Sequence, residues 1–172
     1  MDWIAANLSG GREKPLAINS AIRKAQATDA DAVRNTVLAA YQRYVTVIGA
    51  KPGPMLDNYA ARIAADQVWV AEEAGSISGV LVLVDGPDCF TLDNIAVRPD
   101  RQGTGLGRAL LDLAEAEATL RGWDTITLYT NAMMRENIAI YARRGYVEQH
   151  RRTEYGFDRV YMAKPLGGRT QA

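Results

Sequence analysis

Apolar residues along the chain follow two periods, one typical of helices and one typical of strands. Between Val33 and Tyr44 they recur at helical spacing, which predicts a helix with one buried face. The two prolines in the stretch 51–54 must end this helix, because proline lacks a backbone donor and fixes φ. A shorter second helix is predicted over 56–65.

The remaining apolar runs predict strands, separated by turns and two further helices. Strand-like runs lie at 18–26, 68–73, 80–84, 89–97, 124–130 and in two segments that flank Gly156. A longer helix begins near Leu106 and ends at Gly122, and a shorter helix over 135–144 ends at Gly145. The predicted order is one strand, two helices, three strands, a helix, a strand, a helix and two strands. This order predicts an α/β fold, with a mixed sheet and helices on both faces.

Length and composition indicate one globular domain. The chain has 172 residues, of which 48% are hydrophobic and 23% are charged, so it can bury a full core. We assign 18–166 to this domain, 1–17 to an N-terminal leader broken by glycines and a proline, and 167–172 to a C-terminal tail. The 20 basic and 20 acidic residues cancel, which argues against a nucleic-acid partner.

The composition also disfavours membrane, disulfide and metal chemistry. Clean apolar runs such as 80–84 fall far short of the roughly 20 residues that a membrane helix needs. Cys89 is the single cysteine and His150 the single histidine, so the sequence offers neither a disulfide pair nor a multi-histidine metal site. We therefore expect a cytoplasmic protein with no metal and no membrane partner.

The strongest chemical signal is a glycine-rich turn between a predicted strand and the longer helix. Gly103, Gly105 and Gly107 alternate there, so backbone N–H groups can surround a ligand without side chains in the way. The first turn of a helix has free N–H donors and the positive end of the dipole, which favours phosphate. The turn lacks the ending of a P-loop, and Arg108 or Leu110 stands where a dinucleotide fingerprint needs Gly or Ala.

The pattern Gln102-x-x-Gly105-x-Gly107 resembles the Q/R-x-x-G-x-G/A signature of the GNAT superfamily of acetyl-CoA-dependent N-acetyltransferases. The resemblance continues through MRENIAIYARRGY and covers roughly 22–166. It implies a GNAT-like fold, with a mostly antiparallel sheet that splays at the acetyl-CoA site. It also implies that the turn holds the coenzyme A pyrophosphate and the preceding strand holds pantetheine, through Ile95, Ala96, Val97, Gln102, Gly103, Thr104, Gly105, Leu106, Gly107 and Arg108.

The resemblance assigns two further residues, on the last predicted helix. Asn137 and Tyr141 are four positions apart and so share one helix face. The matching tyrosine of the family lies near the coenzyme A sulfur and protonates the departing thiolate, which gives Tyr141 the role of general acid. Asn137 matches a coenzyme-contacting asparagine. Many relatives carry another asparagine where Met134 stands here, and Asn131 or Asn137 is the alternative source of that contact.

The residue that accepts a proton from the acceptor amine is less obvious. A free alkylamine is mostly protonated at neutral pH, so direct attack on the thioester needs a carboxylate or a water. Some relatives place a glutamate where Tyr129 stands here. Asp93, a charged residue in an apolar strand, is the first candidate, and Glu72 and Glu73 are alternatives. A salt bridge to an arginine would explain Asp93 equally well.

The resemblance and the residues together predict an N-acetyltransferase that moves acetyl from acetyl-CoA to a small-molecule or peptide amine, without an acyl-enzyme. Backbone N–H groups near Val97 are expected to stabilise the oxyanion. One alternative is a non-catalytic acetyl-CoA sensor or pseudo-enzyme, and another is a nucleotide-phosphate binder that uses the same turn. The final strands also leave a homodimer open.

Overall fold

A single seven-stranded sheet forms the centre of the protein in the computed structural model, which describes residues 21–167. The strands lie in the order β1-β2-β3-β4-β5-β7-β6, and β4–β5 is the one parallel pair among them. The bounds are β1 Ala21–Lys24, β2 Val68–Glu73, β3 Ser76–Asp85, β4 Phe90–Val97, β5 Thr125–Asn131, β6 Val147–Glu154 and β7 Phe157–Pro165. The mixed, mostly antiparallel sheet predicted above is thereby confirmed.

Between residues 21 and 167, four α-helices flank the sheet in the predicted order: α1 Ala30–Ile48, α2 Tyr59–Ala64, α3 Leu106–Leu120 and α4 Arg135–Arg143. Gly49 ends α1 with φ 77°. The second helix, predicted over 56–65, is shorter in the structure: α2 begins at Tyr59 because the side chain of Asn58 accepts from Ala61 N and caps it, and a 3₁₀ turn at Gly53–Leu56 precedes it. Within the described residues, none of the helices combines the length and apolar content needed to span a bilayer.

The two faces of the sheet carry separate apolar cores. On one face, α1 and α2 pack on β2 and β3 through residues that include Val33, Val37, Ile63, Val70 and Val82. On the other face, α3 packs on β3, β4 and β5 through residues that include Leu106, Leu110, Leu81, Phe90 and Leu128. Because helices cover both of its faces, β3 is buried from Ile77 to Leu83, which explains the apolar run at 80–84.

The centre of the sheet contains a bulge and a splay that shape the site. Val82 pairs with Asn94 and Leu83 with Leu92, so Asp93 is an extra residue in β4. β4 then pairs with β5 only as far as Leu92, and the two strands separate beyond it. The main chain of β4 after the bulge is therefore open on the β5 side, as the family resemblance implied.

Parts of the predicted domain assignment fall on residues outside 21–167. The leader at 1–17, the first three positions of the domain at 18–20, and 168–172 of the tail lie outside the described residues. The assignment of 18–166 to one domain stays a prediction.

Candidate active site

The glycine-rich turn forms the N-terminus of α3. Gly103 and Gly105 have φ values of 79° and 92°, a region that L side chains rarely adopt. The first backbone hydrogen bond of the helix runs from Ala109 N to Gly105 O, at 3.1 Å. The N–H groups of Leu106, Gly107 and Arg108 precede this bond, so they can bind an anion together with the dipole of the helix.

Side chains brace this turn from the protein side. Gln102 Nε2 donates to Val97 O at 3.0 Å, and Thr104 Oγ1 donates to Arg101 O at 2.7 Å. Arg101 forms an ion pair with Glu73 at 2.9 Å. The side chains of Gln102 and Thr104 thus form hydrogen bonds with the backbone of the protein itself. The groups of the turn that remain to bind a ligand are therefore those of the main chain.

The end of β4 lies beside this turn. Ala96 is buried against the α1 face, whereas Ile95 and Val97 pack toward α3. A Cβ atom added at Gly107 would lie 3.8 Å from Val97 Cγ2, so the helix start touches the end of the strand. Apart from Asn137, the residues predicted to bind coenzyme A lie in one continuous strip, from the open edge of β4 to the start of α3.

A cleft opens at the other end of the splay and gathers the predicted catalytic residues. It lies between α1, the loop after it, β4, β5, α4 and β7. Its lining includes Tyr41, Pro54, Asp93, Asn94, Ile95, Tyr129, Asn137, Tyr141, Phe157 and Arg159. Asp93, which is far in sequence from Asn137 and Tyr141, therefore shares one cleft with them.

Tyr141 extends from α4 into this cleft. Its side chain is buried, and its ring packs edge-on against Tyr146 with the centroids 5.7 Å apart. No group among residues 21–167 forms a hydrogen bond with its hydroxyl. Burial raises the pKa of this phenol well above its ordinary value. The side chain therefore holds a proton throughout the neutral range and has an uncommitted O–H to donate.

Asp93 projects from the bulge of β4 and is already paired. Arg62 Nη2 donates to its Oδ2 at 3.2 Å, and its side chain is 18% exposed. Burial raises the pKa of Asp93, and the nearby guanidinium groups of Arg62 and Arg159 oppose this rise. The ion pair weighed as an alternative is present, and the same carboxylate lines the cleft.

The two alternative carboxylates lie elsewhere. Glu73 pairs with Arg101 beside the glycine-rich turn, and Glu72 pairs with Arg23 of β1 at 2.7 Å. Neither lines the cleft. Asp93 is therefore the better placed of the three candidates.

The asparagines expected to contact coenzyme A are engaged within the protein. Asn137 Oδ1 accepts a hydrogen bond from Tyr44 Oη at 3.2 Å, and its Nδ2 donates to Met134 Sδ at 3.6 Å. Asn131 Oδ1 accepts from Met133 N at 2.9 Å, in the turn that leads into α4. Met134 itself is buried. In this structure Asn137 thus connects α4 to α1, and its contact with coenzyme A stays a prediction.

Asn94 was not identified from the sequence, although it organises the wall of the cleft. It is buried, accepts a hydrogen bond from Tyr41 Oη at 2.7 Å and donates to Tyr59 Oη at 3.0 Å. Tyr59 Oη donates in turn to Pro54 O at 2.8 Å. A buried amide is costly unless its bonds are made, so the available signal was an asparagine inside an apolar strand run.

Comparisons with known proteins agree with this geometry. Residues 64–148 match the family described as Acetyltransferase (GNAT) domain. The [Ribosomal protein bS18]-alanine N-acetyltransferase of Escherichia coli strain K12 is 40% identical over 85 residues, which are 46% of this chain and 57% of that protein. IAA acetyltransferase of Azospirillum brasilense is 29% identical over 101 residues, 56% of this chain and 66% of that protein. The chain spans between half and two thirds of these relatives.

Solved structures extend the likeness to most of the chain. The ribosomal-protein-S18-alanine N-acetyltransferase from Escherichia coli aligns with a TM-score of 0.69 and 26% identity, over 89% of this chain and 99% of that one. PaiA N-acetyltransferase from Thermoplasma acidophilum, in complex with coenzyme A, aligns with a TM-score of 0.72 and 17% identity, over 85% of this chain and 98% of that one. Residues 64–148 therefore form a GNAT acetyltransferase domain, and the fold of the chain is that of the GNAT acetyltransferases.

Proposed function

We propose that this protein transfers the acetyl group of acetyl-CoA to a primary amine by direct attack of the amine on the thioester. The observation that carries the proposal is the splay between β4 and β5. One end of the open β4 edge meets an anion-binding helix start, and the other end meets a cleft that holds Tyr141 and Asp93. The relatives described above, which are acetyltransferases, support it.

The co-substrate fits the donors that the chain leaves open. Main-chain N–H groups at Gly103 to Arg108 would bind the pyrophosphate, since glycine allows close approach and the helix dipole favours negative charge. The edge of β4 at Ile95, Ala96 and Val97, which β5 leaves unpaired, would pair with the amide groups of the pantetheine arm, as an added strand does, while Val97 O also accepts from Gln102 Nε2. The binding of coenzyme A by a relative of the same fold supports this assignment.

The cleft residues would then act on the reacting atoms. The amine gives up a proton to Asp93, directly or through water, and its nitrogen forms a bond to the thioester carbon. Backbone N–H groups near Val97 stabilise the oxyanion. As the C–S bond breaks, Tyr141 donates a proton or a hydrogen bond to the thiolate. The pKa of a thiol, near 8.5, lies below that of a phenol, so full proton transfer from Tyr141 to the thiolate is uphill. The phenol therefore mainly stabilises the leaving group by hydrogen bonding.

A second candidate function is acetyl-CoA binding without turnover. The ion pair between Arg62 and Asp93 favours it, because the pair gives this carboxylate a structural role that requires no proton transfer. Release of free thiol from acetyl-CoA in the presence of amines separates the two functions.

Thermal unfolding with acetyl-CoA, coenzyme A, ATP and NAD, each at saturation, tests the ligand. A site filled at about 100 times its dissociation constant stabilises the folded state by roughly 2.7 kcal/mol, which for a domain of this size raises Tm by about 5–10 °C. We expect that rise with acetyl-CoA and coenzyme A alone. A rise with ATP or NAD instead would show a nucleotide-phosphate binder. No rise with either coenzyme A form would contradict the proposed function.

Asp93→Asn is expected to lower kcat about 10- to 30-fold, because an amide cannot accept a proton. Burial raises the pKa of Asp93, so on acidification its carboxylate is lost at a higher pH than that of an exposed aspartate. The acid-side decline of kcat caused by this loss should be absent from the variant. Thiol release measured between about pH 5 and 9 checks both effects, with Glu72→Gln as the control outside the cleft. An unchanged kcat would show that Asp93 is not the base and that its role is limited to the ion pair with Arg62.

A further inference from the structure

One arginine, Arg159, lines the acceptor cleft, and a second, Arg62, bonds to the cleft residue Asp93; their hydrogen bonding differs. Arg62 of α2 has three nitrogens engaged with side chains of the protein. Its Nε donates to Asp57 at 3.0 Å, its Nη1 to Gln67 at 3.0 Å and its Nη2 to Asp93 at 3.2 Å. The role of Arg62 is thus to hold α2, the loop before it and the bulge of β4 together.

Arg159 of β7 lines the cleft, and most of its N–H donors form no hydrogen bond with the described residues. Its Nη1 donates to Glu154 Oε2 at 3.2 Å, whereas a guanidinium has five N–H donors. Its central carbon lies 4.5 Å from the centroid of the Tyr129 ring, and this stacking fixes the plane of the fork. An oriented guanidinium with unused donors is suited to bind a planar anion.

The charge of Arg159 is only partly compensated by Glu154. That carboxylate also accepts from Arg152 Nη1 at 3.0 Å and from Tyr161 Oη. Arg159 is nevertheless close enough to Asp93 to oppose the rise of its pKa. The lining of the cleft therefore includes a negative group and a positive group, Asp93 from β4 and Arg159 from β7.

Resting on the proposed acetyl transfer, we propose that the acceptor is an α-amino acid whose carboxylate binds Arg159 while its amine faces Asp93. A zwitterion matches this pair of opposite charges. A polyamine would place a second positive charge against Arg159, and the N-terminus of a peptide has no carboxylate beside its amine. Tyr129 and Phe157, which also line the cleft, favour an apolar or aromatic side chain on the acceptor.

Rates with matched acceptors test this proposal. The acceptors are leucine, methionine, phenylalanine, tyrosine and tryptophan, the α-amide of each and the corresponding amine without a carboxylate. For wild type, we expect kcat/KM with the best amino acid to exceed that of its amide and of its amine at least about tenfold. Arg159→Gln should remove this difference by lowering kcat/KM for the amino acid alone, and Arg159→Lys should restore part of it.

Arg152→Gln is the matched control, because Arg152 bonds to the same Glu154 but is 65% exposed and lies outside the lining of the cleft. It should leave all rates within about twofold. The inference is overturned if amides or amines without a carboxylate react as well as the amino acids. It is also overturned if Arg159→Gln lowers every rate by the same factor while Tm is unchanged.

Binding without turnover separates this inference from the proposed function. The same ligands are titrated calorimetrically into protein saturated with coenzyme A. If no acceptor yields product but the amino acids bind more tightly than their amides, and Arg159→Gln abolishes that preference, acetyl transfer fails and the carboxylate site stands. If product forms with acceptors that lack a carboxylate and the amino acids do not bind, acetyl transfer stands and the carboxylate site is refuted.

Discussion

Tyr141→Phe is expected to lower kcat about 100-fold, the lower end of what a positioned general acid contributes. The substitution removes one oxygen and leaves the ring that packs on Tyr146. The hydroxyl is not hydrogen-bonded to any of residues 21–167, so its loss breaks no bond in that part of the protein. The KM for acetyl-CoA should therefore stay within about twofold, and the loss belongs to the chemical step. Single-turnover thiol release measures it.

Tyr146→Phe is the matched control for this variant. Tyr146 is also buried, its ring contacts that of Tyr141, and its Oη has no hydrogen-bond partner among the described residues. Burial raises the pKa of both phenols. Only Tyr141 lines the cleft, so Tyr146→Phe should leave kcat unchanged and keep or raise stability. Equal effects of the two variants, or full turnover in Tyr141→Phe, would refute the acid role.

Much of the fold could be predicted because local patterns dictate it. The helical spacing of Val33 and Val37 places α1 on the sheet, and the apolar run of β3 reflects burial on both faces. The order of helices and strands followed from such runs. The glycine-rich turn was equally clear, since the positive φ values of Gly103 and Gly105 require a residue without a side chain.

The arrangement of the cleft could not be predicted because it depends on contacts between distant residues. In a regular strand, Leu92 and Asn94 would lie on the same face of the sheet. Because of the bulge at Asp93, Leu92 faces α3 and Asn94 faces α1. A one-residue shift of this kind is defined by the pairing of β4 with β3, which the periodicity of a single strand does not specify. The Arg62 to Asp93 ion pair spans 31 positions, and the sequence could only suggest that some arginine would be its partner.

Gly105→Ala is expected to weaken acetyl-CoA binding about 100-fold, equivalent to roughly 2.7 kcal/mol. Gly105 has φ 92° directly before α3. An alanine there either holds a strained conformation, at about 1–2 kcal/mol, or rotates the peptide so that the N–H groups of Leu106 and Gly107 no longer converge on an anion. The added methyl group also occupies space where a phosphate would approach the main chain. Calorimetric titration with acetyl-CoA measures the loss.

Gly122→Ala separates backbone strain from loss of the ligand site. Gly122 follows the other end of the same helix with φ 85°, and an added Cβ would meet no atom within 4 Å. Both variants should therefore lose a similar amount of folding free energy, about 1 kcal/mol in urea unfolding without ligand. Only Gly105→Ala should lose affinity for acetyl-CoA. If both variants bind acetyl-CoA like wild type, the turn before α3 does not hold the pyrophosphate, and the site must lie elsewhere along the open edge of β4.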